Sequence, residues 1–260
     1  MANSMIPVTV SRLFNLRERF RIEAMDRVAP RVLKIRFKPE SGLVRPYRPG
    51  QFLFARFDIP GLPHSGHSFS ISNPPGSTYL EILVKGTDDR TLALYDLATS
   101  FPGIDGQSTG TAWKAWLDYP YGSFTTDGAG TGPWVFLATG IGIAPFLAMA
   151  GARLRDDARV LILWAADNRD ELAGLEELSA VNARRPSIRI IPILGHDPMW
   201  TGQRGSLDRQ VLEDLAGREL ADPQAHYWIC CPPSVRISLV RILKNLGIPR
   251  KRIRHQDCAS

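Results

Sequence analysis

The chain has 260 residues, a formal net charge of +6 and three cysteines. Its hydrophobic fraction of 44% and charged fraction of 22% are typical of a globular protein with one large core or two smaller ones. The apolar stretch at 140–152 is interrupted by glycine and proline and is too short to cross a bilayer, and the arginines between positions 12 and 21 argue against a secretory signal. Two cysteines are adjacent, so the three form neither a disulfide framework nor a metal-ligand pattern, and we expect a reducing, cytoplasmic location.

The positive charge is spread along the chain and is dense only in the run 249–254. An excess of positive charge suits nucleic acid, anionic lipid or an acidic protein partner. A single basic run of this kind more commonly belongs to a solvated surface. We therefore expect no nucleic-acid partner.

Residues 19–125 contain short alternating segments separated by turn-forming residues, a pattern typical of β-strands. Turns are indicated by the clusters at 45–50 and 73–76, which are rich in proline and glycine. Strands are predicted at 20–24, 32–37, 51–57, 68–72 and 79–84, and a helix is predicted at 91–99. Many short strands in close succession predict a small antiparallel barrel.

From residue 132 onward, predicted strands alternate with predicted helices. The strands are at 135–138, 160–164, 188–192 and 226–230, and the helices are at 145–155, 171–182, 207–215 and 233–246. This alternation predicts a doubly wound parallel sheet. The segment 125–132 is rich in glycine and threonine and is interpreted as a linker, which gives domains 1–128 and 129–260. The segment 102–110 is predicted to be a loop.

The most informative segment is 134–147, which reads as a buried strand that turns through Gly140 and Gly142 into a helix. Backbone N–H groups at the start of a helix, with the positive end of its dipole behind them, can hold a pyrophosphate. Glycines let the backbone approach such a ligand closely. Pro145 stands where the usual dinucleotide fingerprint has its third glycine, and proline suits the first turn of a helix. A purely structural turn from strand to helix is the alternative at this point.

Six motifs follow one another along the chain: Tyr47-Arg-Pro-Gly-Gln-Phe52, His67-Ser-Phe-Ser70, Val84-Lys-Gly86 with Thr91-Leu92, Tyr119-Pro-Tyr-Gly122, Gly140-Ile-Gly-Ile-Ala-Pro145 and Cys230-Cys-Pro-Pro233. In order and spacing they resemble the ferredoxin–NADP reductase superfamily over nearly the whole chain. The resemblance implies an FAD-binding barrel at 1–128 and an NAD(P)-binding domain at 129–260, with hydride passing from nicotinamide to flavin. The second motif is most similar to the version in the ferric reductase and NADPH oxidase branch.

The resemblance places the flavin site in the first half. Ser70 would be catalytic, with its hydroxyl near flavin N5, while Phe69 would pack on the isoalloxazine ring and His67 would contact the flavin or its phosphates. The segment could otherwise be a plain strand with Phe69 pointing inward. The backbone at Thr91 and Leu92 would cradle the pyrophosphate, although Thr91 could be only a helix cap. The other implied FAD-binding residues are Ser68, Val84, Lys85 and Gly86.

The resemblance places the nicotinamide site in the second half. Cys230 would be the second catalytic residue, because the family's Cys-Gly-Pro-Pro motif sets its cysteine beside nicotinamide C4. Cys231 stands where that motif has glycine, and two buried cysteines acting as small hydrophobes are the alternative. Asp167 would accept hydrogen bonds from the adenosine ribose, which favours NADH over NADPH, although Arg169 and Arg204 could attract a 2′-phosphate. The other implied contacts are Thr139, Gly140, Gly142, Ile143, Pro145 and Pro232.

Residues 253–260 depart from the family pattern. Gln256 replaces an acid that helps to handle protons in the family, and the aromatic residue that often covers the flavin is absent. His255 could substitute for the acid, or the flavin face could simply be more open. The cysteines cannot ligate an iron–sulfur cluster, so we expect electrons to leave to an external acceptor.

The predicted function is therefore that of an FAD-dependent NAD(P)H oxidoreductase. An iron–sulfur protein, a flavodoxin, a ferric chelate or a membrane haem partner could accept the electrons, and the positive charge suits an acidic carrier. Two alternatives stay open. The chain could be the cytosolic electron-transfer subunit of a membrane reductase, or a non-catalytic regulatory protein that keeps the reductase fold.

Overall fold

The computed structural model describes residues 18–40, 42–62, 66–101, 113–152 and 158–258. The described chain forms two sheets, each of six strands, with helices packed mainly on the second. The loop predicted at 102–110 lies outside the described residues. No helix in the described ranges combines the length and hydropathy that crossing a membrane requires.

The strands of the first sheet are β1 (Glu18–Ala29), β2 (Val32–Pro39), β3 (Phe52–Asp58), β4 (His67–Ser70), β5 (Leu80–Lys85) and β6 (Lys114–Tyr121). The sheet is antiparallel and runs in the order β4-β3-β6-β1-β2-β5. A bridge between Ile71 and Ile82 joins its two edges, so the predicted antiparallel barrel is confirmed. Strand β6 was not predicted, because its alternation is interrupted by Asp118 and Pro120.

The barrel core forms because alternate residues of each strand point inward. Phe20 and Ile22 of β1 and Ile35 and Phe37 of β2 are buried in one apolar cluster. Each such side chain contributes about 1.5–3 kcal/mol to folding by leaving water. Helix α1 (Asp89–Leu97) follows β5 and buries Leu94 in the same cluster.

The strands of the second sheet are β7 (Trp134–Thr139), β8 (Val160–Ala166), β9 (Ile188–Leu194), β10 (Gln203–Arg204), β11 (His226–Cys231) and β12 (Ile253–Asp257). The sheet is parallel and runs in the order β10-β9-β8-β7-β11-β12. The predicted doubly wound sheet is confirmed, and the two edge strands, β10 and β12, were not predicted. The helices are α2 (Ala144–Gly151), α3 (Leu175–Arg184), α4 (Arg209–Ala221) and α5 (Pro233–Asn245).

Both faces of the second sheet are buried, as expected of a parallel sheet. Phe136 of β7 packs with Phe146 of α2, their rings stacked at 4.7 Å. The next residue, Leu137, points to the other face and shares a cluster with Leu212 of α4 and Leu239 of α5. The near-continuous apolar run of β7 is therefore explained by burial on both sides.

The helix predicted at 171–182 begins later than expected. Residues Arg169–Glu171 form one short 3-10 turn, and α3 starts only at Leu175. Gly174 separates the two in a left-handed conformation, which interrupts the helical path. The helix predicted at 145–155 ends earlier, at Gly151, because the backbone of Ala152 is already extended; residues 153–157 lie outside the described residues.

The motif at 47–52 links the barrel to the segments around it. The hydroxyl of Tyr47 donates to the backbone oxygen of Asn73 at 2.8 Å, and both residues are buried. The side chain of Gln51 accepts from the amide of Arg48 at 2.8 Å and donates to the oxygen of Gly122 at 3.1 Å. These bonds hold three loops at the end of the barrel together.

Removal of the Tyr47 hydroxyl tests this link. We expect Tyr47→Phe to lower the free energy of unfolding by about 1–2 kcal/mol, because the buried carbonyl of Asn73 loses its partner. Tyr95→Phe is the matched control, since the described residues include no hydrogen-bond partner for the Tyr95 hydroxyl, and it should change stability by less than about 0.5 kcal/mol. Urea unfolding of both variants measures the difference, and equal losses would contradict the assignment.

Candidate active site

The carboxyl ends of the parallel strands face β4 and β5 of the barrel, and we call this junction the active-site cleft. Among the described residues, the side chain of Gln256 donates across it to the hydroxyl of Ser70 at 3.1 Å, and the Lys85 amine lies 3.5 Å from the Glu171 carboxylate. Ligands of open parallel sheets bind beyond the carboxyl ends of the strands. The cleft is therefore the expected site for a ligand that both halves share.

The turn after β7 begins at Thr139 and leads directly into α2. Residues Gly140–Ile143 form a 3-10 turn, and Pro145 occupies the first turn of the helix. The indole N–H of Trp164 donates to the backbone oxygen of Gly140 at 2.9 Å and fixes the turn against β8. Both Ile143 and Pro145 are buried, so these two residues support the turn from below.

Gly142 is required by the close approach of β11. A Cβ atom on this residue would lie 2.1 Å from the backbone oxygen of Cys230, a distance that no real side chain tolerates. The second glycine of the motif therefore allows the turn after β7 to pack directly against β11. By contrast, the described residues place only the Lys85 amine near a Cβ on Gly140, at 3.9 Å, so Gly140 faces the cleft.

The hydroxyl of Thr139 is the polar group that indicates a ligand site. Its hydroxyl oxygen is buried and has no hydrogen-bond partner among the described residues. Buried polar atoms in proteins are nearly always hydrogen-bonded. An unsatisfied hydroxyl at the carboxyl end of β7 fits a site that a nucleotide completes.

Cys230 and Cys231 point to opposite faces of the sheet. The Cys230 side chain belongs to the core on the α2 and α3 face, and the Cys231 side chain to the core on the α4 and α5 face. Both residues are 0% exposed, and burial raises the pKa of each thiol, to about 12 for Cys231. Both thiols are therefore neutral, and the geometry is that of two small hydrophobes. Cys231 does not obstruct the turn, because its side chain points away from it.

Strand β12 brings Gln256 to Ser70. Because neighbouring residues of a strand point to opposite sides, His255 faces away from Ser70, and it does not take the place of the missing acid. Cys258 extends the same end of the sheet, where its amide donates to the oxygen of Cys231 at 3.4 Å. The departure at Gln256 is visible in the sequence, but the strand that positions it was not predicted.

The residues of the flavin motif divide between the barrel core and the surface. The side chain of Phe69 is 9% exposed and packs inside the barrel against Phe57 at 6.5 Å between ring centres. His67 lies at the surface, where its Nε2 is 2.9 Å from a guanidinium nitrogen of Arg90. Phe69 thus points into the barrel, as in the plain-strand alternative. Ser68 and Ser70 are half-exposed on the other face of β4.

Helix α1 begins with a capping box. The Asp88 carboxylate accepts from the amides of Arg90 and Thr91, at 3.0 and 2.8 Å, and the Thr91 hydroxyl accepts from the amide of Asp88 at 3.1 Å. The hydrogen bond from the Thr91 backbone holds the pKa of Asp88 below its usual range. Thr91 is therefore part of the helix cap. A phosphate contact by the backbone at Thr91 and Leu92 stays a prediction.

The segment from Val84 to Gly86 forms the barrel side of the cleft. Val84 is buried in the barrel core, and Gly86 packs against Leu92, whose Cδ2 would lie 2.9 Å from a Cβ at this position. Lys85 points across the cleft to Glu171. Glu171 was missed as a site residue because the sequence pattern assigned it to the start of a helix.

Asp167 is exposed at the end of β8, with its carboxylate 3.9 Å from His196. The two arginines nearby have other partners. Arg169 pairs with Asp197 at 2.7 Å, which lowers the pKa of that carboxyl, and Arg204 donates to the backbone oxygens of Pro198 and Trp200. Within the described ranges, the Asp167 carboxylate has no ion pair at hydrogen-bonding distance. Pro232, which follows β11, is exposed beside the same edge.

Comparison with known families and proteins assigns both halves. Residues 18–125 match an FAD-binding domain, and residues 136–237 match an oxidoreductase NAD-binding domain. In solved structures, a ferredoxin NADP+ reductase from Neisseria gonorrhoeae with bound FAD and NADP has a TM-score of 0.74 at 18% identity. The alignment covers 94% of this chain and 99% of that one. The FAD/NAD-binding domain of a Vibrio cholerae nitric oxide dioxygenase has a TM-score of 0.76 at 19% identity, with 92% and 98% covered.

Two curated relatives extend the comparison. The chain is 30% identical over 242 residues to ferredoxin–NADP reductase B of Sorangium cellulosum, which covers 90% of this chain and 94% of that protein. It is 25% identical over 252 residues to a flavohemoprotein of Halalkalibacterium halodurans, covering 91% of this chain and 58% of that longer protein. The chain belongs to the ferredoxin–NADP reductase superfamily and is an FAD-dependent NAD(P)H oxidoreductase.

Proposed function

We propose that this oxidoreductase prefers NADH and delivers electrons from FAD to a separate, acidic iron–sulfur or haem carrier. The observation that carries the reductase site is the hydrogen bond from Gln256 to Ser70, which joins the two halves at 3.1 Å. The site would hold FAD, which would supply the hydride acceptor for reduced nicotinamide and the one-electron donor for a carrier. The chain supplies position and electrostatics for that chemistry.

The residues that we assign to the two cofactors divide at the cleft, with the barrel domain ending near residue 128. For FAD they are His67, Ser68, Ser70, Lys85, Gly86, Thr91 and Leu92, with Phe69 and Val84 supporting them from the barrel core. For the nicotinamide nucleotide they are Thr139, Gly140, Asp167 and Pro232, with the buried Gly142, Ile143, Pro145 and Cys230 forming the layer beneath them. The unsatisfied hydroxyl of Thr139 and the open position beside Gly140 support the second group.

Gln256 sets the direction of the Ser70 hydroxyl. Its amide nitrogen can only donate, so Ser70 Oγ accepts this bond and keeps its own hydrogen for another acceptor. Ser70 is thereby prepared to donate into the cleft. We assign Ser70 a catalytic role and Gln256 a positioning role that acts through it, while the neutral, buried Cys230 forms an apolar wall.

The preference for NADH rests on the charges at the end of β8. An exposed carboxylate at Asp167 can accept hydrogen bonds from ribose hydroxyls and repels a 2′-phosphate. The cations that would favour NADPH, Arg169 and Arg204, are held by Asp197 and by backbone oxygens. The balance of available charges at the end of β8 therefore favours NADH over NADPH.

The names of the relatives suggest the class of acceptor. One is called a ferredoxin–NADP reductase, another the electron transfer component of a 2-halobenzoate 1,2-dioxygenase, and several are flavohemoproteins. The net charge of +6 favours a carrier of opposite charge. The three free cysteines suit a reducing compartment, and we propose the cytoplasm.

Anaerobic flavin spectroscopy tests the reductase site and its acceptor. The full chain loaded with FAD should lose its visible flavin absorption when NADH is added. It should then reduce an acidic [2Fe–2S] ferredoxin faster than ferric citrate, at a rate that falls as salt is added. A flavin that NADH leaves oxidised would contradict the reductase site. Rapid flavin reduction with no preference for the protein carrier would contradict the acceptor.

Charge reversal at Asp167 tests the nucleotide preference. We expect Asp167→Arg to shift the ratio of kcat/KM for NADH over NADPH by at least about tenfold toward NADPH, because the repulsion of the 2′-phosphate becomes attraction. Asp170→Arg makes the same charge change three residues away and should leave the ratio nearly unchanged. Steady-state kinetics with both nucleotides measure the shift, and similar ratios in the two variants would refute the role of Asp167.

An acid at position 256 tests the orientation of Ser70. An ionised carboxylate accepts the Ser70 hydrogen instead of donating to the oxygen, so Gln256→Glu should slow flavin reduction by about fivefold once the acid is ionised. The rate should recover as the pH falls and the acid is protonated, whereas the unsubstituted chain should show no such recovery. Stopped-flow measurement from pH 5 to pH 8 gives the profile. A slow rate at all pH values would indicate a structural effect of the substitution.

A further inference from the structure

A second cleft lies between the two halves, away from the candidate active site. It has a volume of about 640 Å³ and is bounded by β2 and β5 of the barrel and by α2 and α3. Glu81 and Lys85 lie on the same face of β5, four residues or about 13 Å apart along the strand. Glu81 lines this cleft while Lys85 reaches the active-site cleft, and Leu83 between them packs into the core of the second half. The two clefts are therefore separated by apolar packing.

Four cationic side chains from both halves line the second cleft. Lys34 and Arg36 come from β2, and Arg184 and Arg185 from the end of α3. The barrel cations are paired, Lys34 with Glu177 and Arg36 with Glu81 at 3.3 Å.

The two arginines of α3 leave the cleft with an excess of positive charge. Arg184 donates to the oxygen of Ala180 at 3.1 Å, and Arg185 to the oxygen of Ala152 at 2.9 Å. In the part of the chain that the structure describes, neither has a carboxylate partner. A guanidinium group has five N–H donors, so most donors on both arginines are left for a ligand.

Ser72 marks the cleft as a place for a hydrogen-bonding ligand. It lines the wall, is only 3% exposed, and its hydroxyl has no partner among the described residues. Nε of Arg36, in the same wall, is also buried and unpartnered. Two unsatisfied polar atoms at one cavity are uncommon in proteins.

The remaining wall of the cleft is apolar. Leu147 of α2 and Val181 of α3 line one side, and the ring of Tyr79 lines the other, with the guanidinium of Arg36 4.4 Å from its centre. A bare inorganic ion would leave this surface in contact with water. A ligand that fits the whole cleft carries an anionic group and an apolar body.

We propose that this cleft binds a small organic anion, whose carboxylate or phosphate faces the arginines while its apolar body lies against α2, α3 and Tyr79. Because the cations come from both halves, the bound molecule bridges the barrel and the nucleotide-binding half. Because Leu83 and its neighbours separate the clefts, binding does not compete with the nicotinamide nucleotide. This inference is independent of the identity of the electron acceptor.

Calorimetric titration of the FAD-loaded full chain, with saturating NAD⁺ present, tests the site. Benzoate and phenyl phosphate are the anionic probes, benzamide is the neutral analogue, and inorganic phosphate is the head group alone. We expect at least one anionic probe to bind, and benzamide and inorganic phosphate to bind at least about tenfold more weakly. Binding of both anionic probes would support a site that accepts either a carboxylate or a phosphate. Binding of one would identify which of the two groups the site recognises. No binding of either, or equal binding of benzamide or inorganic phosphate, would overturn the proposal.

Three variants locate the binding. Arg184→Gln should weaken the probe by about tenfold, while Arg218→Gln, which removes an exposed arginine on α4, should have no effect. Ser72→Ala should also weaken the probe yet leave the melting temperature without probe unchanged or higher, because it removes an unsatisfied buried hydroxyl. A structural role for Ser72 predicts the opposite change in stability. Unchanged affinity in both Arg184→Gln and Ser72→Ala would overturn the proposal.

Discussion

The close contact between β11 and the turn after β7 is the constraint on which the active site depends. The oxygen of Cys230 lies where a Cβ on Gly142 would have to be, so the two strand ends meet without a side chain between them. This contact fixes the position of the turn that contains Gly140. The indole N–H of Trp164 in β8 donates to the backbone oxygen of Gly140 and fixes the turn on its other side. The contact with β11 also sets the position of β12, which pairs with β11 and carries Gln256 to Ser70. A shift of this turn would therefore move the nucleotide side and the serine side of the cleft together.

Apolar contacts set the relative position of the two halves, and polar contacts refine it. The ion pairs that cross between them, Lys34 with Glu177 and Lys85 with Glu171, are partly exposed, and such pairs contribute little free energy. Leu83 of the barrel, in contrast, is buried in the core of the second half. Burial of an apolar side chain is not screened by salt. The interface is thus stable enough to hold a hydrogen bond of 3.1 Å between residues 186 positions apart.

The sequence predicted the two sheets and the turn, because each depends on local patterns. Alternation along β1 to β5 and the apolar run of β7 are visible in consecutive residues. Strand β12 was missed because its solvent-facing edge leaves only Ile253 buried, so its sequence lacks a strand pattern. Asp88 was missed because the helix cap was placed at Thr91, although an N-cap Asp three residues before Thr91 is a recognisable signal. Glu171 was missed because its role depends on an ion pair across the cleft, which spacing does not reveal.

The capping box also changes how the phosphates of FAD would be held. Sequence reasoning assigned the free amides at the start of α1 to the pyrophosphate, but Asp88 already accepts from two of them. Its lowered pKa means that it carries a full negative charge at neutral pH, which repels a phosphate group. The neighbouring cation, Arg90, lies beside His67 of the flavin motif. We therefore expect side chains at this end of the barrel to balance the charge of the pyrophosphate, while Thr91 and Leu92 of the capped helix start lie beside it.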